Sequence, residues 1–308
     1  MVKDVIKIAT VAFNATWGDK ERNLNRILGY IDAAASEGAN LVVFPEMGLT
    51  GYDDEADKPL KEKMQYKLAE EVPGPSSNAV AEKAKELGVY VAFGMPERDP
   101  DDPDTLYNAA CVCGPEGIIG TYRKIHLPTP EPHWATRGHK PFIFNTPWGP
   151  VGLAICYDNY CFPEIERYYA AKGCRLCINC TALAQCHGPA VGPTTLEANV
   201  IQNQIFLVSS NLAGKDLYNV FWGGASVMGP STKFWEVEYY CGRKFTDPDA
   251  AENKMYTATV DLSMANRALF EPNPLIDGMT DYRPALYKEL MDDLLKDPKF
   301  QKDPEYKG

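Results

Sequence analysis

Apolar runs alternate with amphipathic stretches along most of this chain. "VIKIATVAF" (5–13) is almost wholly apolar and predicts a strand covered on both faces. "ERNLNRILGYIDAAASEGA" (21–39) sets Leu24, Ile27, Leu28 and Ile31 on one helical face, with Gly38 near its stop. "NLVVFPE" (40–46) reads as a second strand that ends at a proline and a carboxylate. "SSNAVAEKAKELG" (76–88) predicts a helix with serine at its cap and Gly88 at its end, followed by the strand "VYVAFGMPE" (89–97). "TLYNAACVCGPEGIIGTYRK" (105–124) predicts two strands about a Gly-Pro-Glu-Gly turn.

The second half repeats the alternation: strand 151–156, helix from Pro163, strand 175–182, helix 193–203 and strand 205–211. "GGASVMGPST" (223–232) and "MYTATVDL" (255–262) add strands, and "RPALYKELMDDLLKD" (283–297) has helical spacing. No low-complexity linker or shift in composition interrupts the pattern. One α/β domain over 1–290 is expected, followed by a charged arm, 291–308, exposed or resting on a partner subunit. The apolar strands need cover on both faces, which suits a four-layer α-β-β-α sandwich. Periodicity alone also permits a doubly wound sheet or a barrel.

Charge narrows the partners. The 308 residues carry a formal net charge of −11, which argues against nucleic acid or an anionic membrane surface. No apolar run approaches the roughly 18 residues of a membrane span, and the start "MVKDVIKIATVAF" lacks a secretory pattern. Nine cysteines in a chain of this length fit a reducing cytoplasm better than a disulfide scaffold.

Three polar residues stand at the ends of apolar segments: Glu46 after "LVVFP", Lys124 in "GTYRKIHLP" and Cys156 after "VGLAI". Each alone has a structural use: a strand-end cap, a solvated charge, a packed thiol. Together they have complementary jobs in acyl transfer. A thiol attacks a carbonyl or nitrile carbon once a base takes its proton. A carboxylate can be that base, and an ammonium plus the N–H after the cysteine can hold the oxyanion.

"VVFPEMGLTGY", "YRKIHLP" and "GLAICYD…FPE" resemble, in order, the three signature segments of the nitrilase superfamily of carbon–nitrogen hydrolases. The resemblance runs from "KIATVAF" to "RPALYKEL". It implies the α-β-β-α sandwich, a homodimer or larger homo-oligomer, and no cofactor. It assigns Glu46 as general base, Lys124 as oxyanion stabiliser and Cys156 as nucleophile, with the Tyr157 N–H assisting. Glu131 in "LPTPEPHW" resembles the second glutamate of the amidase branches, and Tyr52, Trp134, Asn159 and Tyr160 are candidate pocket residues. Asp158 favours the amidase side, so the implied reaction is cleavage of a non-peptide C–N bond in a small amide through a Cys156 thioester. N-carbamoyl amide hydrolase and nitrilase are the alternatives within the superfamily. A catalytically idle binding or scaffold member is the alternative from another class.

The chain departs from the pattern once: Asn159, Tyr160 and Cys161 fill a gap that usually holds two residues. Cys161 precedes Phe162-Pro163 and does not end the apolar strand, so Cys156 remains the nucleophile. Superfamily members acting on N-carbamoyl amino acids often present an arginine just after the cysteine motif; here those places hold Asn159 and Tyr160, so the resemblance implies a neutral or amine-bearing substrate. The cysteines at 174, 177, 180 and 186, with His187, have spacing reminiscent of iron–sulfur or zinc sites. A strand through "RLCINCTA" would send Cys177 and Cys180 to opposite faces, so no metal is expected. Neither a dinucleotide nor a phosphate-loop glycine pattern occurs.

Overall fold

The computed structural model describes residues 3–305 except 234, 245, 248 and 251, and gives the backbone alone at 188–190. Contacts divide the chain into two compact units, Met1–Asn266 and Arg267–Gly308. The first is built on two six-stranded sheets. Its strands are β1 (Val5–Ala12), β2 (Leu41–Val43), β3 (Tyr90–Arg98), β4 (Leu106–Gly114), β5 (Gly117–Arg123), β6 (Phe142–Thr146) and β7 (Gly149–Ile155). There follow β8 (Leu176–Thr181), β9 (Phe206–Asn211), the hairpin β10 (Ala213–Lys215) and β11 (Val220–Trp222), β12 (Ser226–Pro230), β13 (Val237–Gly242) and β14 (Lys254–Asp261). Its helices are α1 (Lys20–Ser36), α2 (Met64–Leu68), α3 (Pro75–Leu87), α4 (Tyr157–Cys161), α5 (Pro163–Ala171) and α6 (Gly188–Asn203).

One sheet runs β14-β1-β2-β3-β4-β5 and the other β13-β12-β9-β8-β7-β6. Their central strands are parallel, β1 with β2 and β3, β7 with β8 and β9. The sheets face each other, and Thr10 Oγ1 donates to the Ser209 carbonyl as Ser210 Oγ donates to that of Val11. Helices α1 and α3 cover the first sheet through Ile27, Ile31, Val80 and Ala84, packed in one core with Val42, Val91 and Phe93. Helices α5 and α6 pack on β7, β9 and β12. This is the four-layer sandwich: strands without a polar face are stable only when both faces are covered.

Several elements differ from the sequence expectation. The cap of α3 is Gly74 rather than a serine, and the Ser77 hydroxyl accepts the Gly74 N–H at 2.8 Å. Helix α6 starts at Gly188 and runs through Pro193, giving up one backbone bond where a start at the proline was expected. The polar turn after Cys156 is the single-turn helix α4, which absorbs the extra residue of that segment. The second unit holds short 3₁₀ turns and helix α7 (Pro284–Leu294), within the tail segment of helical spacing, and an aromatic group of Phe270, Tyr282 and Tyr287. No described helix is long and apolar enough to cross a membrane.

Candidate active site

Glu46 follows β2 by three residues, on a turn forced into shape by its surroundings. Met47 has φ +53°, and the turn presses so closely on β3 that a Cβ at Gly94 would lie 2.4 Å from the Met47 nitrogen and 2.6 Å from Glu46 Cα. Only glycine leaves that space. Lys124 follows β5; its N–H donates to the Asn108 carbonyl at 2.8 Å and its own carbonyl accepts the Gly138 N–H at 2.8 Å. Cys156 caps α4 with φ +50° and ψ −103°, a conformation a non-glycine residue holds only when its surroundings compel it. Strand β7 holds one side of that turn and helix α4 the other.

The charged groups converge. Lys124 Nζ lies 2.7 Å from Glu46 Oε1 and 2.6 Å from Glu131 Oε1, and all three side chains are buried. An ammonium has three donors, so one remains for another oxygen. Asn108 Nδ2 also donates to Glu46 Oε1 at 2.7 Å, whereas Glu46 Oε2 has no hydrogen-bond partner among the described residues. The Glu46 carboxylate is therefore pinned by one oxygen and unengaged at the other. Tyr52 Oη donates to Glu131 Oε1 at 2.8 Å, while Glu131 Oε2 is also buried without a partner.

Cys156 shares this electrostatic environment. Burial pushes its thiol well above the ordinary range; the Glu46 charge adds to the rise and Lys124 opposes it. The resting group is thus a thiol, and a nucleophilic role needs a base for its proton. The Thr181 hydroxyl and the Ala182 N–H also contact the sulfur. Burial works against the Lys124 ammonium, but Glu131 and Glu46 outweigh it and hold the group charged. Burial, with the Glu46 charge, lifts Glu131 to about 7 despite Lys124. Tyr52 is pushed well up, by burial first and then by Glu131 and Glu46, and stays a neutral donor.

The remaining candidates divide. Trp134 is buried beside Met47, Leu106, Leu127 and Ala135, and with Tyr52 and Glu131 it lines a cleft of about 230 Å³. Asn159 and Tyr160 are tied into the layer behind the cysteine: Asn159 Nδ2 donates to Asn179 Oδ1 at 2.8 Å, and Tyr160 Oη to Thr181 Oγ1 at 3.0 Å. Tyr157 is the first residue of α4, so its N–H has no acceptor within the helix. Cys161, at the far end of α4, is exposed.

The pairings that hold this arrangement were not visible in the sequence. Asp158 is fully buried and accepts Tyr122 Oη at 2.7 Å and the His126 N–H at 2.9 Å, with His126 Nδ1 at 2.8 Å. It fastens the cysteine turn to the lysine segment, and the His126 ring stacks on Phe162 with centroids 3.4 Å apart. Asn179 Oδ1 accepts the Cys156 N–H at 3.1 Å. The available signal was a polar side chain inside an apolar strand, "YNAA" for Asn108 and "CINC" for Asn179. On β8, Cys177 faces Glu166 of α5, while Cys180 feels the charge of Glu46 on the other side, the divergence expected of a strand. Among the described residues no three His, Cys, Asp or Glu side chains group as a metal site.

The carbon-nitrogen hydrolase family model matches residues 7–266. A nitrilase of Pyrococcus abyssi is 30% identical to this chain over 74% of its length and 83% of the relative's. The omega-amidase NIT2 of Homo sapiens is 32% identical over 68% of this chain and 76% of that protein. Among solved structures, an amidase from Nesterenkonia sp. AN1 superposes with a TM-score of 0.73 at 22% identity, covering 94% of this chain and 98% of that one. That structure shows covalent addition of the acetamide moiety of fluoroacetamide at the active-site cysteine.

Proposed function

The chain belongs to the carbon–nitrogen hydrolase family, and on that premise we propose that it hydrolyses a small non-peptide amide through a thioester on Cys156. Glu46 takes the thiol proton as sulfur attacks the carbonyl carbon. The developing oxyanion is held by the remaining Lys124 donor and the Tyr157 N–H. Collapse of the tetrahedral species breaks the C–N bond, and Glu46 returns the proton to the departing ammonia. Water then gives a proton to Glu46 and attacks the thioester, releasing the carboxylic acid and restoring the thiol. Glu131 keeps Lys124 in place. Tyr52 and Trp134 form the substrate wall, and Asn159 and Tyr160 brace the cysteine turn.

One observation carries this reading. A buried carboxylate has one oxygen fixed by Asn108 and Lys124 and the other unengaged, within electrostatic range of a buried neutral thiol. The omega-amidase name of several relatives supports the choice of amide over nitrile. We assign a homodimer or larger assembly in the cytoplasm, in keeping with nine free cysteines.

The test is ammonia release from a panel of short amides. Cys156→Ala, Glu46→Gln and Lys124→Met should each lose roughly a thousandfold or more in kcat/KM while remaining folded. A Cys156→Ala variant within tenfold of wild type would refute the proposal.

A further inference from the structure

The cleft beside Glu131 has a one-sided chemistry that bears on which amide fits. It has about 230 Å³, the space of roughly eight waters, suited to a short linear molecule. Its described lining includes Asp53, Asp54, Glu131, Trp134, Tyr218 and Asn219, with no lysine, arginine or histidine. Lys63, behind it, is engaged with Asp54 at 3.2 Å and with the Glu55 carbonyl. Lys124 is held between Glu46 and Glu131.

Asp54 and Glu131 are thus paired, whereas the lining carboxylate of Asp53 has no ion-pair partner among the described residues. Asp53 accepts the N–H groups of Tyr218 and Asn219 at 2.6 and 2.8 Å, and Asn219 Nδ2 as well. Asp216 accepts the Tyr52 and Asp53 N–H groups at 2.7 and 3.1 Å. These bonds brace the β10–β11 turn against the segment carrying Tyr52, yet neither carboxylate forms a described ion pair. Glu131 Oε2, buried and unpartnered, also lines the cleft. Trp134 and the exposed Tyr218 ring provide aromatic surface, which attracts a cation and gives nothing to an anion.

We propose that the end of the substrate remote from the scissile amide carries a positive charge, an ammonium or guanidinium, that seats in this cleft. This rests on the amidase reading above. A carboxylate-bearing amide would meet the unpaired Asp53 and, among the described residues, no free cation, whereas a cationic one is drawn in by a focused negative potential.

Three amides of equal length test this, ending in an ammonium, an isosteric methyl and a carboxylate. In the wild-type enzyme kcat/KM should fall in that order, with about tenfold or more between ammonium and carboxylate, and the gap should narrow with added salt. Ala56→Lys, at an exposed lining position away from the reacting groups, should cost the ammonium amide about tenfold more than it costs the methyl amide and should lift the carboxylate amide relative to both. Equal or better turnover of the methyl or carboxylate amide overturns the inference and leaves the amidase reading standing. Ammonia from none of the three, with no acylation of Cys156, overturns both.

Discussion

Glu166 offers a quantitative check on the packing that supports the cysteine turn. Helix α5 opens at Pro163, directly after that turn, and points Glu166 into a fully buried position against β8. Its carboxyl meets no hydrogen-bonding group among the described residues other than the Cys177 thiol. Burial lifts the group from 4.5 to about 7, and the Cys177 thiol only partly relieves it. The folded protein therefore holds this proton more tightly than the unfolded chain. Stability from the neutral carboxyl is complete below about pH 4.5 and is lost as pH rises through about 7. At 1.36 kcal/mol per pH unit the full effect is about 3 kcal/mol, most of which falls between roughly pH 5 and 8.5. Glu166→Gln cannot ionise and escapes this slope. Urea denaturation of both proteins at the two pH values should show the variant gaining roughly 2–3 kcal/mol on wild type as pH rises. A difference constant to within about half a kcal/mol would mean that Glu166 is solvated or paired, and the reasoning would be wrong.

Three further outcomes follow from the site's geometry. Cys161→Ser should retain wild-type ammonia release, because this thiol is exposed at the far end of α4; loss of turnover would move the nucleophile there. Asp158→Asn weakens the link between the cysteine turn and the lysine segment. It should cost about 1–3 kcal/mol in denaturation and lower kcat more than it raises KM; unchanged kcat would deny it a positioning role. Gly94→Ala would drive a Cβ into the backbone of the Glu46 turn, so activity should fall at least tenfold in protein that still folds, with a stability loss of roughly 1–3 kcal/mol. Activity equal to wild type would mean that the Glu46 turn tolerates displacement.

The convergence of Glu46, Lys124 and Glu131, within electrostatic range of Cys156, was legible because these residues sit in short segments where chain order and strand context agree. The apolar strands likewise announced a sheet covered on both faces. Less visible was the way the site is held together. Asn108 and Asp158 act across strands and turns far apart in sequence, and only the fold pairs them with Glu46 and His126. Strand β13, "VEYYCG", escaped notice because an edge strand with partly exposed residues has little hydrophobic alternation. The start of α6 was misplaced because Pro193 has the local signature of a helix start, while packing onto β12 and β9 carries the helix past it.

The central claim is that Cys156 carries the acyl group between two half-reactions served by one carboxylate. Intact-protein mass spectrometry of Glu46→Gln incubated with a small electrophilic amide addresses it most directly, since this variant should be slow to release whatever it captures. The account predicts one added acyl or alkyl mass per chain, mapped by peptide digestion to Cys156 and absent from Cys156→Ala. A modification mapped to another cysteine, or the same adduct in the alanine variant, would contradict it.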